Sequence, residues 1–246
     1  LLHPAHVEPE GQVTGVLGLS AQFLTGEAAR SLQQARENTS EGSAVAGSTP
    51  EAYQRGALAV AALAPGVAPW VGARVGLGHG SEAGLAYSGR ALRVDGRHAF
   101  QSGSLALSLG VGGQALLARR EEGGREGLRG VDLGGTSGYG VDVPLVVGWR
   151  SDGGLLSAWA GVRGGYERQR GQIGLDPDGS GRQVLGWSAS RVWGGGLVGL
   201  MAGFRRVFVA VELDASHNNA SASVGETPVK LQGVTLTPAA ALLGRF

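Results

Sequence analysis

The chain has 246 residues, a formal net charge of +1 and no cysteine. That length allows one large all-β domain or two small ones, and the lack of cysteine excludes a disulfide framework, a thiol nucleophile and a thiolate metal site. Charged residues make up 17% of the chain against roughly 25% in soluble domains, so much of the surface is expected to face something other than water.

Residues 1–11 (LLHPAHVEPEG) have neither a charged start nor a long apolar run, so they do not form a signal peptide. They are expected to be the N-terminal tail of an already processed chain. His3 and His6 have the spacing of a metal pair but no acidic partner at a useful distance, so they are taken as plain tail residues.

Residues 12–23 alternate apolar and polar or small side chains, the period of a half-buried strand. A long connection, 24–54, follows. Residues 56–63 are ambiguous. Thr49-Pro50-Glu51 is a helix start, with Thr as cap and Pro at the first position, which makes 50–62 a candidate helix. The alternative is a strand.

Residues 69–77 alternate with Trp70 and Arg74 on the face opposite Val71, Ala73, Val75 and Leu77. In 84–94 the alternation slips near Gly89 and Arg90, which reads as a bulge. Residues 102–112 alternate again. The run 119–129 (RREEGGREGLR), inside a long connection over 116–140, reads as a solvated loop. Residues 141–150 set Asp142 and Arg150 against valines, Leu145 and Trp149. Residues 156–168 set Trp159, Arg163 and Glu167 against Leu156, Val162 and Tyr166.

A long connection over 169–190 contains DPDGSG at 176–181, which lacks the distal Glu and flanking helices of a calcium loop. Residues 192–204 are apolar on both faces, with one face thinned by glycine. In 207–217, Val207, Val209, Val211 and Leu213 oppose Glu212, Asp214 and Ser216. A last long connection spans 218–233. Tight turns are expected at 64–66, 94–97, 152–154 and 205–206. The aromatic residues Trp149, Trp187, Trp193 and Tyr166 fall near strand ends, as lipid-interface girdles do. Trp159, mid-strand on the polar face, is expected to plug the interior.

The final segment, 234–246 (VTLTPAAALLGRF), alternates and stops on Phe246, with Leu242 on the same face. It resembles the closing strand of bacterial outer-membrane β-barrels, although Gly244 stands where that class usually has a large apolar or aromatic residue. The resemblance implies that Phe246 and Leu242 form the signal read by the barrel-assembly machinery. It implies outer-membrane lipid as the surrounding medium.

The longest uncharged apolar runs fall short of the ~20 residues a spanning helix needs, whereas a tilted strand needs only ~9–11. A closed barrel is the remaining way to cross a bilayer. The expected fold is therefore all-β: one transmembrane antiparallel up-and-down barrel over residues 12–246, with 1–11 as its N-terminal periplasmic tail. About ten strands are expected, with eight and twelve as neighbouring alternatives and 56–63 as the tenth strand. Arg74, Asp142, Arg150 and Trp159 are then lumen-lining, as are Arg163, Glu167, Glu212 and Asp214. Both charge signs are present, which favours a charge-paired interior over a one-sign pore.

No catalytic, metal or cofactor set emerges. His217 shares its strand with Asp214 and Ser216, but alternation points it the other way; the Asp-x-His element of barrel proteases is absent, and His217 is followed by Asn218 and Asn219 in place of the His-x-Ser of barrel deacylases. The basic residues are dispersed, which argues against nucleic acid. A barrel this narrow has a lumen largely filled by side chains. The expected role is a structural or interaction component, with an envelope protein docking on its loops or tail, or a small-solute channel. The alternatives are a rim hydrolase acting on lipid or peptide and a soluble barrel binding an apolar ligand.

Overall fold

A computed structural model of the chain describes residues 2–40, 50–63, 65–117, 131–132, 135–175, 183–224 and 227–246. The first half contains β1 (Val13–Thr25), α1 (Gly26–Ser40), α2 (Pro50–Leu63), β2 (Gly66–Gly78), β3 (Ser81–Tyr87), β4 (Ala91–Ser102) and β5 (Leu105–Leu116). The second contains the two-residue β6 (Val131–Asp132), β7 (Ser137–Arg150), β8 (Leu156–Leu175), β9 (Gln183–Phe204), β10 (Val207–Val224) and β11 (Thr227–Arg245).

Apart from β6, which adds only to the end of β8, each strand pairs antiparallel with the next. Pairing of β1 with β11, from Thr14 opposite Arg245 to Thr25 opposite Val234, closes the ring. The result is a closed up-and-down barrel of ten strands among the described residues. Closure gives each of the ten strands a partner on both sides, the condition for a sheet to sit in hydrocarbon.

Alternation in the sequence becomes inside and outside in the wall. Along β10 every second residue is buried: Phe208, Ala210, Glu212 and Asp214 point inward, while Val207, Val209, Val211 and Leu213 are exposed. The same inversion runs round the ring, with Leu200 60% exposed, Val111 60% and Leu17 59%. Apolar exposure on this scale and continuity is a lipid-facing belt. Phe100, Trp149, Phe204 and Phe246 face outward at the edge nearer the chain ends, and Tyr87, Tyr139 and Tyr166 face outward at the other. Among the described residues no helix is long and apolar enough to cross a membrane.

The structure differs from the sequence reading at several points. Residues 56–63 belong to α2, not to a strand. The tenth strand comes instead from 84–94, where the slip is a full turn. Gly89 adopts φ +74°, a region open to glycine, and Ser88 N–H donates to the Ala91 carbonyl at 3.0 Å. Asp95 and Gly96 sit inside β4, paired with Gly84 and Ala83, so no turn falls at 94–97. The connections expected over 169–190 and 218–233 are largely strand, since β8 runs to Leu175, β9 starts at Gln183, and β10 and β11 meet at Val224 and Thr227. The physical reason is that the outward residues of β10 change from Val and Leu to His217, Asn219, Ser221 and Ser223. The strand continues after it leaves the apolar layer, and the hydropathy signal stops there. The segments 119–129 and 176–181 lie outside the described residues.

Strand length is uneven. β3 has 7 residues, whereas β8 has 20, β9 22, β10 18 and β11 19. The β8–β11 wall therefore projects beyond the belt at the end away from the chain termini. On its inner face, Leu32 and Ala35 of α1 and Leu58 and Ala62 of α2 pack with Trp187, Ala189, Ala222, Val224 and Val229.

Candidate functional site

The lumen is the candidate site, and its central feature is a chain of ion pairs. Arg97 and Arg74 both hold Glu82 Oε1, at 2.9 and 2.8 Å. Arg74 also reaches Asp95 Oδ2 at 2.9 Å, and Arg93 Nε lies 3.7 Å from Asp95 Oδ1. Arg93 in turn pairs with Asp142, its Nη2 donating to Oδ2 at 3.0 Å. Arg163 stands 3.9 Å from Asp142 and 3.8 Å from Asp214. Basic and acidic side chains thus alternate from β4 through β3 and β2 to β7, β8 and β10. Such a network is supported by its own pairing rather than by water, which is what buried charge requires.

The end of the lumen nearer the chain termini is filled by the chain's own start. Leu2, His3, Ala5, His6 and Val7 are all buried, so the stretch expected as a periplasmic tail lies inside the barrel. Leu2 and Ala5 sit in an apolar cluster with Trp70, Trp159, Met201, Phe208 and Leu243. His3 donates its backbone N–H to Glu212 Oε2 at 2.8 Å, and its Nδ1 lies 2.9 Å from Oε1. Trp159 Nε1–H donates to the same carboxylate at 2.7 Å. Arg97 donates to the carbonyls of Pro4 and His6. Glu8 N–H donates to Glu82 Oε2 at 2.9 Å, and Arg245 Nε to Glu8 Oε1 at 3.0 Å.

Two glycines make this packing feasible. A Cβ at Gly76 would collide with the Pro9 carbonyl, and one at Gly199 with the Trp159 indole. Burial outweighs the nearby Glu212 charge and lowers the His3 pKa from 6.5 to about 4. It does the same for His6, with the Arg150 and Arg97 charges acting in the same direction. Both imidazoles are therefore neutral at pH 7, and the neutral His3 ring can donate Nδ1–H to Glu212.

Between this plug and the helices lies a polar chamber of about 150 Å³, lined by Arg163, Glu167, Arg191, Glu212, Asp214 and Ser216 among others. Arg191 pairs with Glu167 at 2.7 Å, and Gln114 donates to Glu167 at 2.7 Å. Arg163 stacks over the Trp193 ring at 4.5 Å. Asp214 Oδ2 and Trp193 Nε1 are buried there without a protein hydrogen-bond partner, which suits a small hydrated space. Gln169 donates to the Ala62 carbonyl at 3.5 Å, joining α2 to the β8 side of the mouth.

The structure brings Arg74, Asp142, Trp159, Arg163, Glu167, Glu212 and Asp214 together on the inner wall. Arg150 is also on the inward parity of β7, near the plug. Trp187 and Trp193, expected at the lipid interface, point inward instead: Trp187 is 3% exposed under the helices. Phe246 is 78% exposed, and its backbone pairs with Val13 at the closing seam. His217 faces outward while Ser216 donates to Asp214 inside, so no hydrolytic triad forms. No metal-holding cluster exists among the described residues.

Sequence reasoning missed Glu82, Arg93, Asp95, Arg97 and Arg191. The first four lie in or beside the stretch whose alternation reads as one strand in place of two. Arg93, Asp95 and Arg97 at alternate positions were the available signal. It also missed the plug, for which the signal was a first run, 1–7, with no charge before Glu8.

Comparison with protein-family models and with curated proteins finds no match. Among solved structures the chain is similar to neisserial surface protein A, at 8% identity over 96% of each chain with a TM-score of 0.36. It is also similar to Ail, the attachment invasion locus protein of Yersinia pestis, at 9% identity over 96% of this chain and 99% of that one, with a TM-score of 0.32. A third is a major outer membrane protein from Thermus thermophilus, at 11% identity over 95% and 99%, with a TM-score of 0.34. The closed ring, the inverted wall and the girdled belt define a transmembrane antiparallel β-barrel.

Proposed function

We propose that the protein is a closed barrel of the bacterial outer membrane that serves as a structural or interaction component and does not conduct solute freely. The single observation that carries this reading is the burial of Leu2, His3, Ala5, His6 and Val7 inside the lumen, the segment being held by Glu212, by Arg97 and, through Glu8, by Glu82. The helices packed on the inner face of the projecting wall support it from the opposite end. What remains for a partner is the projecting β8–β11 wall and the outer surfaces of α1 and α2, on which an envelope protein would dock. Phe246 and Leu242, both exposed at the seam strand, are then the residues the barrel-assembly machinery would read.

The test is conductance of the purified protein in planar bilayers, with insertion confirmed separately by protease protection. A silent bilayer is the expected result. Stable discrete openings would overturn the closed-barrel reading in favour of a small-solute channel.

A further inference from the structure

We infer that the outward face of the projecting β8–β11 wall, just above the tyrosine girdle, docks the phosphate groups of lipids in the leaflet at that end. Three exposed cations stand there: Arg168, Arg170 and Lys230. The register joins them into two rows across the strands. Arg168 lies opposite Ser190, Ser190 opposite Ser221, and Ser221 opposite Lys230. One step farther from the membrane, Arg170 lies opposite Ser188 and Ser188 opposite Ser223. Arg168 and Lys230 are three strand spacings apart, about 14 Å, with serine hydroxyls between them.

The depth of the β8 end of these rows is set by its neighbours. Arg168 pairs directly with Tyr139, and Tyr166 is the next outward residue of β8 toward the belt. Tyrosines of a membrane barrel sit at headgroup level, so Arg168, paired with one tyrosine and one row beyond another, meets phosphates rather than acyl chains.

Charge points the same way. The lumen arginines Arg74, Arg93, Arg97 and Arg191 each hold a carboxylate within 4 Å. Among the described residues, Arg168, Arg170 and Lys230 hold none, and no Asp or Glu stands on this outer face. Phosphate is the partner that guanidinium forks, an ammonium and intervening hydroxyls suit. Each cation near an anionic surface strengthens attraction roughly fivefold.

The test uses the full chain folded in a neutral detergent, with bis-phosphorylated lipid A as probe and bound lipid counted by native mass spectrometry. The triple variant Arg168→Gln, Arg170→Gln, Lys230→Gln is expected to retain about a hundredfold less of it. Arg205→Gln with Arg206→Gln, at the opposite end of the barrel, should retain as much as the parent protein. Dephosphorylated lipid A should bind the parent protein as weakly as the triple variant binds the phosphorylated form. Fold is checked by heat-modifiable gel migration, and the three single variants, each expected to lose about fivefold, replace the triple one if it fails to fold. Equal retention by parent and variants would overturn the proposal, as would indifference to the phosphates. Loss of a soluble sulfated polysaccharide with lipid retention intact would overturn it too, by assigning the face to a soluble polyanion.

Discussion

His3 Nδ1 stands 2.9 Å from Glu212 Oε1 although 209 positions separate the two residues in sequence, and both are buried. With the His3 backbone N–H and the Trp159 indole also donating to this carboxylate, Glu212 is the anchor of the plug. Substituting His3→Asp would set a second carboxylate against it and remove a donor. The expected outcome is release of residues 2–7. The cysteine-free chain makes this measurable: Leu2→Cys should resist a membrane-impermeant maleimide in the parent protein and react quickly in the His3→Asp background. Equal protection in both would show that the contact does not hold the plug.

Acid should loosen the same segment. The folded pKa of His3 and of His6 is about 4, below the free value of 6.5, because burial disfavours the charged ring. Released imidazoles therefore bind protons more readily than docked ones. Docking is at full strength above pH 6.5 and weakens as pH falls from 6.5 toward 4. Labelling of Leu2→Cys, corrected for the intrinsic pH dependence of the thiol reaction, should rise across that window. Replacing both His3 and His6 by Asn should flatten the profile.

Glu82 is fully buried between Arg74 and Arg97 and accepts the Glu8 backbone N–H as well. Substituting Glu82→Ala strips Arg97 of the carboxylate that holds it and leaves Arg74 with Asp95 alone, the two guanidinium groups facing each other across the gap. Removing one partner of a buried pair costs about 3–5 kcal/mol. Urea unfolding from phospholipid vesicles should show a loss of that order. A loss under about 1 kcal/mol, the range of a solvated pair, would mean that water reaches this part of the lumen and screens the charges.

The barrel was legible because its signal is local: Val207, Val209, Val211 and Leu213 announce a strand and its lipid face with no knowledge of any partner. What was lost lies where that signal is cut short or masked. The wall above Leu213 is still strand, but its outward residues turn polar, so hydropathy reads it as loop. The 84–94 stretch hides its turn because Gly89 interrupts two short strands of similar character. The lumen charges were legible as inward-facing, since parity fixes direction, yet their pairing was not. Which cation meets which carboxylate depends on ring closure, as with Arg93 of β4 reaching Asp142 of β7. The plug depends on the same closure, because only a finished barrel gives His3 a Glu212 to meet.

The depth of the belt can be tested at single positions. Leu213 faces outward, paired with Val198 and Pro238, within the apolar layer. Ser221 lies on the same face of the same strand, eight residues farther on and in one register row with Ser190 and Arg168. An arginine at the bilayer midplane costs about 2–4 kcal/mol, and one near the interface about 0–1. Leu213→Arg should therefore destabilise the barrel against urea in vesicles by a few kcal/mol, while Ser221→Arg should be close to neutral. A soluble barrel with an apolar ligand inside makes the opposite forecast. There, Leu213 is a solvent-exposed leucine, and arginine in its place would be tolerated or would improve solubility. Equal, small effects at both positions would thus count against a membrane setting for this wall, and a steep difference between them would place the apolar band at Leu213 and its edge below Ser221.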